Sequence, residues 1–201
     1  MFAAILDSCV LWPSVQRDFL LSLAAENLYR PLWSEAILIE VEINEEEKRL
    51  ERGEPKKDAR DAAQHLMDQM AGHFDDAIVG GWEHLEGTFG LPDPDDEHVV
   101  AAAVVGGAGA IVTVNLKDFP STLVPPQIQV IHVRDFAADT ADINPRLAAR
   151  AFVEMSHRRT LPPTLSAHEL LDLCVERYEM VEVEQLVRPF IDAAERAGTG
   201  C

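Results

Sequence analysis

Leu91–Phe119 reads LPDPDDEHVVAAAVVGGAGAIVTVNLKDF, and this stretch decides the fold. Glu97 to Val105 (EHVVAAAVV) is expected to be a helix, entered through an Asp-rich loop and stopped by Gly106-Gly107. Ala110 to Val114 (AIVTV) has no polar alternation. A continuous apolar run of this kind is a strand covered on both faces, as in a parallel sheet. Working outward, Phe2 to Leu6 is a second apolar run, ending at Asp7, and the chain turns by Trp12-Pro13. Ile128 to Val133 (IQVIHV) reads as a further strand and Ala77 to Trp82 (AIVGGW) as a short one. Helical periodicity covers Arg17 to Asn27, Glu35 to Glu51 behind the N-cap Ser34, and Asp58 to His73 after the break RGEPKK. Strands alternating with helices predict a three-layer α/β/α arrangement around a central, mostly parallel sheet. After Phe136 the pattern changes. Asn144 to Arg158, Ser166 to Tyr178 and Val183 to Ala197 read as helices, the first two separated by Pro162-Pro163, with no strand evident. The expected division is therefore 1–136 as the α/β domain and 137–201 as a C-terminal helical extension.

The 201 residues are 47% hydrophobic, enough for a sizeable core. No run approaches the roughly 18–20 apolar residues of a membrane span. The opening MFAAILDSCVLWP lacks a basic leader, so no secretory signal is expected. Cys9, Cys174 and Cys201 form no CxxC pair, which fits free thiols in a reducing cytoplasm better than a disulfide framework or a zinc site. The balance of 17 basic against 35 acidic residues gives a formal net charge of -18. Taken alone, that argues against a nucleic-acid binder, because phosphate neutralisation supplies much of the affinity. Most of the acids read as solvated surface. Acids at the ends of apolar strands need another account.

In open α/β sheets, ligands sit outside the carboxyl ends of the strands. Asp7 ends the first strand, Asn115 and Asp118 follow AIVTV, and Asp93, Asp95 and Asp96 occupy the loop before the helix that precedes AIVTV. Segments distant in sequence thus bring acids to one rim. Glu40 joins them, since on a wheel of about 100° per residue it falls among Ala36, Ile37 and Ile43, inside the apolar arc. A carboxylate there should neutralise, find a partner or bind a metal. Mg²⁺ prefers oxygen ligands and keeps several waters, so clustered carboxylates would hold it directly and through water. Asp95 reads more simply as a helix-capping acid.

These residues match a known pattern. Asp7-Ser8-Cys9-Val10-Leu11 resembles the first motif of the PIN-domain ribonucleases, with Cys9 where Asn or Ser is usual. Trp33 to Glu40 is similar to the helix that carries the family's acidic residue, at Glu40. Leu91 to Ala103 resembles the third motif, with Asp96 in the aspartate position and Asp93 as a second acid. Thr113 to Phe119 resembles the last motif; many relatives have aspartate where Asn115 stands, which leaves Asp118 to carry the charge. The resemblance covers roughly residues 1–136 and is nearest to the VapC-like toxins of type II toxin–antitoxin pairs. It implies a cytoplasmic endoribonuclease that hydrolyses phosphodiester bonds with Mg²⁺ or Mn²⁺, and an antitoxin protein as partner; a homodimer is compatible with it. On this reading Asp7, Glu40, Asp96 and Asp118 are the catalytic metal ligands, with Asp93 and Asn115 in support.

Lys117, between Asn115 and Asp118, is the best candidate for phosphate contact; Arg17 and His98 are further substrate candidates. Lys56, Lys57, Arg60, Arg158 and Arg159 read as surface charge. His65, His73, His84 and His98 lack metal-ligand spacing, and no Walker motif is present. Two rivals stay open. One is a receiver-type or phosphotransfer domain using Asp7 as nucleophile. The other is a non-catalytic PIN-like interaction scaffold.

Overall fold

The computed structural model describes residues 1–160 and 164–198. The Pro162-Pro163 break and Cys201 lie outside the described residues. The chain divides into two compact units. One holds residues 2–12 and 30–131; the other holds Met1, 13–29 and 132–201.

The first unit is built on a five-stranded sheet. The apolar run at the start is β1 (Ala3–Leu6), followed by the single turn of α1 (Ser8–Leu11). Next in this unit come β2 (Arg30–Ser34) and α3 (Glu35–Glu51), where the Ser34 hydroxyl caps α3 by accepting from the Ile37 N–H at 3.2 Å. Then follow α4 (Lys56–His73), β3 (Ile78–Val79), α5 (Glu97–Gly106), β4 (Ala110–Thr113) and β5 (Gln129–His132). The strand order is β3-β2-β1-β4-β5. β1 runs parallel to both neighbours, in register Ile5↔Leu32 and Leu6↔Val112, and β2 runs parallel to β3. This is the helix-flanked parallel sheet that the alternation of elements requires.

Core and connections follow from side-chain size. Ile5, Leu6, Leu32, Trp33, Val99, Val100, Ile111 and Val112 are all but inaccessible. α5 packs its alanines against β1, β2 and β4, where small side chains allow close approach. Gly106 is required at the end of this helix, because a Cβ there would stand 2.8 Å from Val79 Cγ2. Gly107 then takes the left-handed conformation (φ 64°), and the Ala108 N–H bonds back to the Ala103 carbonyl, closing the helix.

The second unit is helical: α2 (Ser14–Ala25), α6 (Val133–Ile143), α7 (Pro145–Arg158), α8 (Ala167–Tyr178) and α9 (Val181–Gly198). Phe19 of α2 stacks on Phe152 of α7 at 4.3 Å, and Tyr29 meets Phe136 edge-on at 4.9 Å. The sequence places a strand end at Val133 and nothing regular at Phe136; the structure instead starts α6 at Val133. β2 is the other unforeseen element. No helix among the described residues is long and apolar enough to cross a membrane.

Candidate active site

Asp7 is the first residue after β1, and its N–H donates to the Val112 carbonyl at 3.1 Å, so the sheet ladder itself fixes its backbone. Its side chain is 5% exposed. Oδ2 accepts from Thr113 Oγ1 at 2.7 Å and from the Cys9 thiol at 3.0 Å, and Ser8 Oγ approaches Oδ1 at 3.4 Å. Cys9 therefore supplies the hydrogen bond that Asn or Ser would give. Burial, and then the Asp7 charge, push its thiol well above the ordinary range, so the thiol stays protonated and can donate. Thr113 Oγ1 also accepts from the Asn115 N–H at 3.0 Å, tying the loop after β4 to the same carboxylate.

Asp96 stands at the N-terminus of α5, at the end of the short turn Pro94–Asp96. Asp93 caps that turn by accepting from the Asp95 N–H at 3.0 Å. Asp118 ends the turn Leu116–Asp118 that follows β4, its N–H bonded to the Asn115 carbonyl at 3.0 Å. These segments share one electrostatic environment. The Asp96 carboxyl is pushed up to about 6, first by burial and then by the charges of Asp7, Asp93 and Asp118. None of the four has a Lys or Arg ion pair among the described residues.

Glu40 is half-buried, not core-facing. The buried stripe of α3 is Ile37, Val41 and Glu45, and the buried acid Glu45 is paired with Lys48 and, at 2.9 Å, with Arg49. Ile39 and Ile43 beside Glu40 are about half exposed. The wheel misplaced the arc because it counted apolar residues, whereas the buried stripe is set by the elements α3 packs on, chiefly α4 and α1. Glu40 Oε1 lies 2.9 Å from His98 Nε2. Burial raises the Glu40 pKa, but hydrogen bonds from His98 and Ser8 outweigh it and hold the acid low. For His98, burial lowers the pKa, while Glu40 and then Asp7 pull it above the usual value. His98 itself is 5% exposed, with its ring near Trp82, and its Nδ1 is buried without a partner.

The remaining candidates divide. Lys117 and Asn115 are exposed on the loop after β4, beside Asp118. Arg17 is buried on α2, in the helical unit. Lys57 pairs with Asp61 at 2.8 Å, and Arg158 and Arg159 both grip Asp18. Sequence reasoning missed Thr113 and Ser8 as partners of the acids, and it read Glu97 only as the start of a helix. Thr113 was reachable in principle: pairing Leu6 with Val112 sets Asp7 opposite Thr113.

Among the described residues, no three His, Cys, Asp or Glu side chains gather closely enough to grip an ion by themselves. The donor set nevertheless fits a hard, partly hydrated cation. It is all oxygen, its charges repel one another, and water can complete the shell that the carboxylates leave open.

Residues 3–117 match the PIN-domain family, and the chain belongs to it. A Mycobacterium tuberculosis (strain ATCC 25618 / H37Rv) protein named "Putative ribonuclease VapC50" is 34% identical over 127 residues, spanning 62% of this chain and 69% of the relative. No solved structure matches at comparable stringency.

Proposed function

We propose that this protein is a divalent-metal-dependent endoribonuclease, acting as the toxin of a type II toxin–antitoxin pair. The observation that carries the reading is the placement of Asp7 after β1, Asp93 and Asp96 at the entry to α5 and Asp118 in the turn after β4, with no Lys or Arg ion pair to any of them among the described residues and with the charges of the other three raising the Asp96 carboxyl. Such repulsion opposes folding unless a cation relieves it. The relative's name supports RNA as substrate and, through its VapC designation, an antitoxin as partner.

Mg²⁺ or Mn²⁺, when bound, would supply a water of lowered pKa and neutralise charge on the phosphate being cleaved. The chain's own residues do the rest. Asp7, Asp96 and Asp118 would hold the cation, with Glu40, Asp93 and Asn115 in support. Thr113 and Cys9 aim the Asp7 carboxylate. His98 orients Glu40 from within the fold. Lys117 draws in the RNA backbone at an otherwise acidic rim, a local attraction that the overall charge does not provide.

The test is incubation with mixed RNA, with and without Mn²⁺ or Mg²⁺, beside Asp96→Asn. Cleavage is expected only with metal and only by the unaltered chain. Metal-independent cleavage, or equal cleavage by both, sinks the proposal. Expression of the unaltered chain is expected to slow cell growth, and expression of Asp96→Asn to leave it unchanged.

A further inference from the structure

Asp96, Glu97 and His98 are consecutive, yet their side chains have different tasks. Asp96 belongs to the acidic rim and His98 holds Glu40. Glu97 does neither. It is 3% exposed, and both of its oxygens are committed to the loop before it. Oε1 accepts from the Gly90 N–H at 2.6 Å and the Leu91 N–H at 3.1 Å, while Oε2 accepts from the Phe89 N–H at 3.1 Å. Gly87 (φ 76°) and Gly90 (φ 71°) take left-handed conformations, and successive amides in such a turn make a concave anion seat. Here the chain fills that seat with its own carboxylate. Burial raises the Glu97 pKa, but the amides of Phe89, Leu91, Gly90 and Gly87 outweigh it and lower the carboxyl from its usual range.

A generic role at the helix N-terminus would leave Glu97 facing the first amides of α5. Its oxygens instead reach back to Phe89–Leu91. Leu91, itself 6% exposed, leads directly into Pro92-Asp93-Pro94-Asp95-Asp96. The segment carrying Asp93 and Asp96 is thus clamped at one end by α5 and at the other by the Glu97 carboxylate.

We infer that Glu97 is a positioning residue: by binding the Phe89, Gly90 and Leu91 amides it fixes the loop that presents Asp93 and Asp96 to the cation. The inference rests on the proposed metal role of those aspartates, and the experiment separates the two. The full chain, Glu97→Gln, Glu97→Asp and the control Asp95→Asn are compared by amide hydrogen exchange at residues 89–91, by Mn²⁺ affinity from the electron paramagnetic resonance of free Mn²⁺, and by RNA cleavage. Glu97→Gln puts an NH₂ group against amide donors. It is expected to speed exchange at those amides by about tenfold and to weaken Mn²⁺ binding by about tenfold, with saturating Mn²⁺ restoring most cleavage. Glu97→Asp keeps the charge but loses reach, and should be intermediate on both readouts. Asp95→Asn should match the unaltered chain. Unchanged exchange in Glu97→Gln overturns the clamp. Faster exchange with unaltered Mn²⁺ affinity, or full affinity in Glu97→Asp, overturns the positioning role. An unaltered chain that neither binds Mn²⁺ nor cleaves RNA overturns the proposed function instead, while the exchange data still judge the clamp.

Discussion

The helical unit and the acidic rim of the sheet unit treat their carboxylates differently. In the helical unit several acids are matched. Asp18 is held by Arg158 and Arg159, Glu26 by Arg150, Asp172 and Glu184 by Arg188, and Asp192 by His168. The sheet unit pairs Glu45, Glu54, Asp61 and Asp76 in the same way, but Asp7, Asp93, Asp96 and Asp118 have no Lys or Arg ion pair among the described residues, and after burial it is their charges that raise the Asp96 carboxyl. Paired surface acids are what a stable acidic protein does with excess charge. Unpaired acids on rigid elements are a reservoir of unfavourable energy that a ligand of opposite charge can release. A net charge of -18 therefore says little by itself; what marks the candidate site is acids from separated segments that act on one another without a counter-ion.

The contrast can be broken at its strongest point first. Phe152→Ala removes the ring stacked on Phe19 in the helical core and should cost about 3–5 kcal/mol, read as a lower urea midpoint. A loss below about 1 kcal/mol would mean that this core is loosely packed. Next, Asp96→Asn should lower RNA cleavage by about 10²–10³-fold at saturating metal, with unchanged circular dichroism.

The pH dependence sharpens the comparison. The Asp96 carboxyl titrates higher in the folded chain, about 6, than in the unfolded chain, near 3.8. Its ionisation therefore subtracts from stability as pH rises through that interval, and the whole penalty is present above it. In EDTA, Asp96→Asn should melt higher than the unaltered chain at pH 7.5. The gap should shrink below pH 6 and vanish near pH 4, and Mn²⁺ should raise the melting temperature more at pH 7.5 than at pH 5. A gap independent of pH would contradict the crowding.

The Glu40–His98 pair has a different window. Glu40 is depressed, so its contribution is present above 4.5 and lost as pH falls through its folded value. His98 is raised, so its contribution is complete below 6.5 and lost as pH rises through its folded value. His98→Asn should therefore destabilise most between about pH 4.5 and 6.5. Equal destabilisation at pH 9 would remove the charge from this account. The smallest effect belongs to the exposed pairs: Asp172→Asn, facing Arg188, should change stability by less than about 1 kcal/mol.

How far the sequence could be read depended on whether a signal was local. AIVTV and the helix Glu97–Gly106 announce themselves through run length and bounding glycines. β2 does not, because RPLWS contains a proline and runs straight into the N-cap of α3. α6 was hidden because β5 passes into it at Val133 with no breaker between them. At the candidate site, Asp7, Asp96 and Asp118 are marked by their places at element ends. The groups that orient them are not. Thr113 looks like an ordinary β-branched strand residue until β1 and β4 are paired, and Glu97 looks like a helix-dipole acid until the loop at Phe89–Leu91 folds back. Glu40 was found by pattern, but Glu45 fills the buried place that the wheel gave it.

The hydrogen bond from Thr113 to Asp7 joins residues at opposite ends of the sheet unit's sequence. It has a consequence for the timing of synthesis. A nascent chain on the ribosome holds Asp7 from the outset, but it has neither Thr113 to aim the carboxylate nor Asp118 to complete the rim until β4 has emerged and docked. Under the proposed activity, the growing polypeptide is harmless to the translation machinery up to that point. Stalled chains ending before Ala110 should leave RNA intact, whereas chains long enough for β4 to emerge and dock should begin to cleave it.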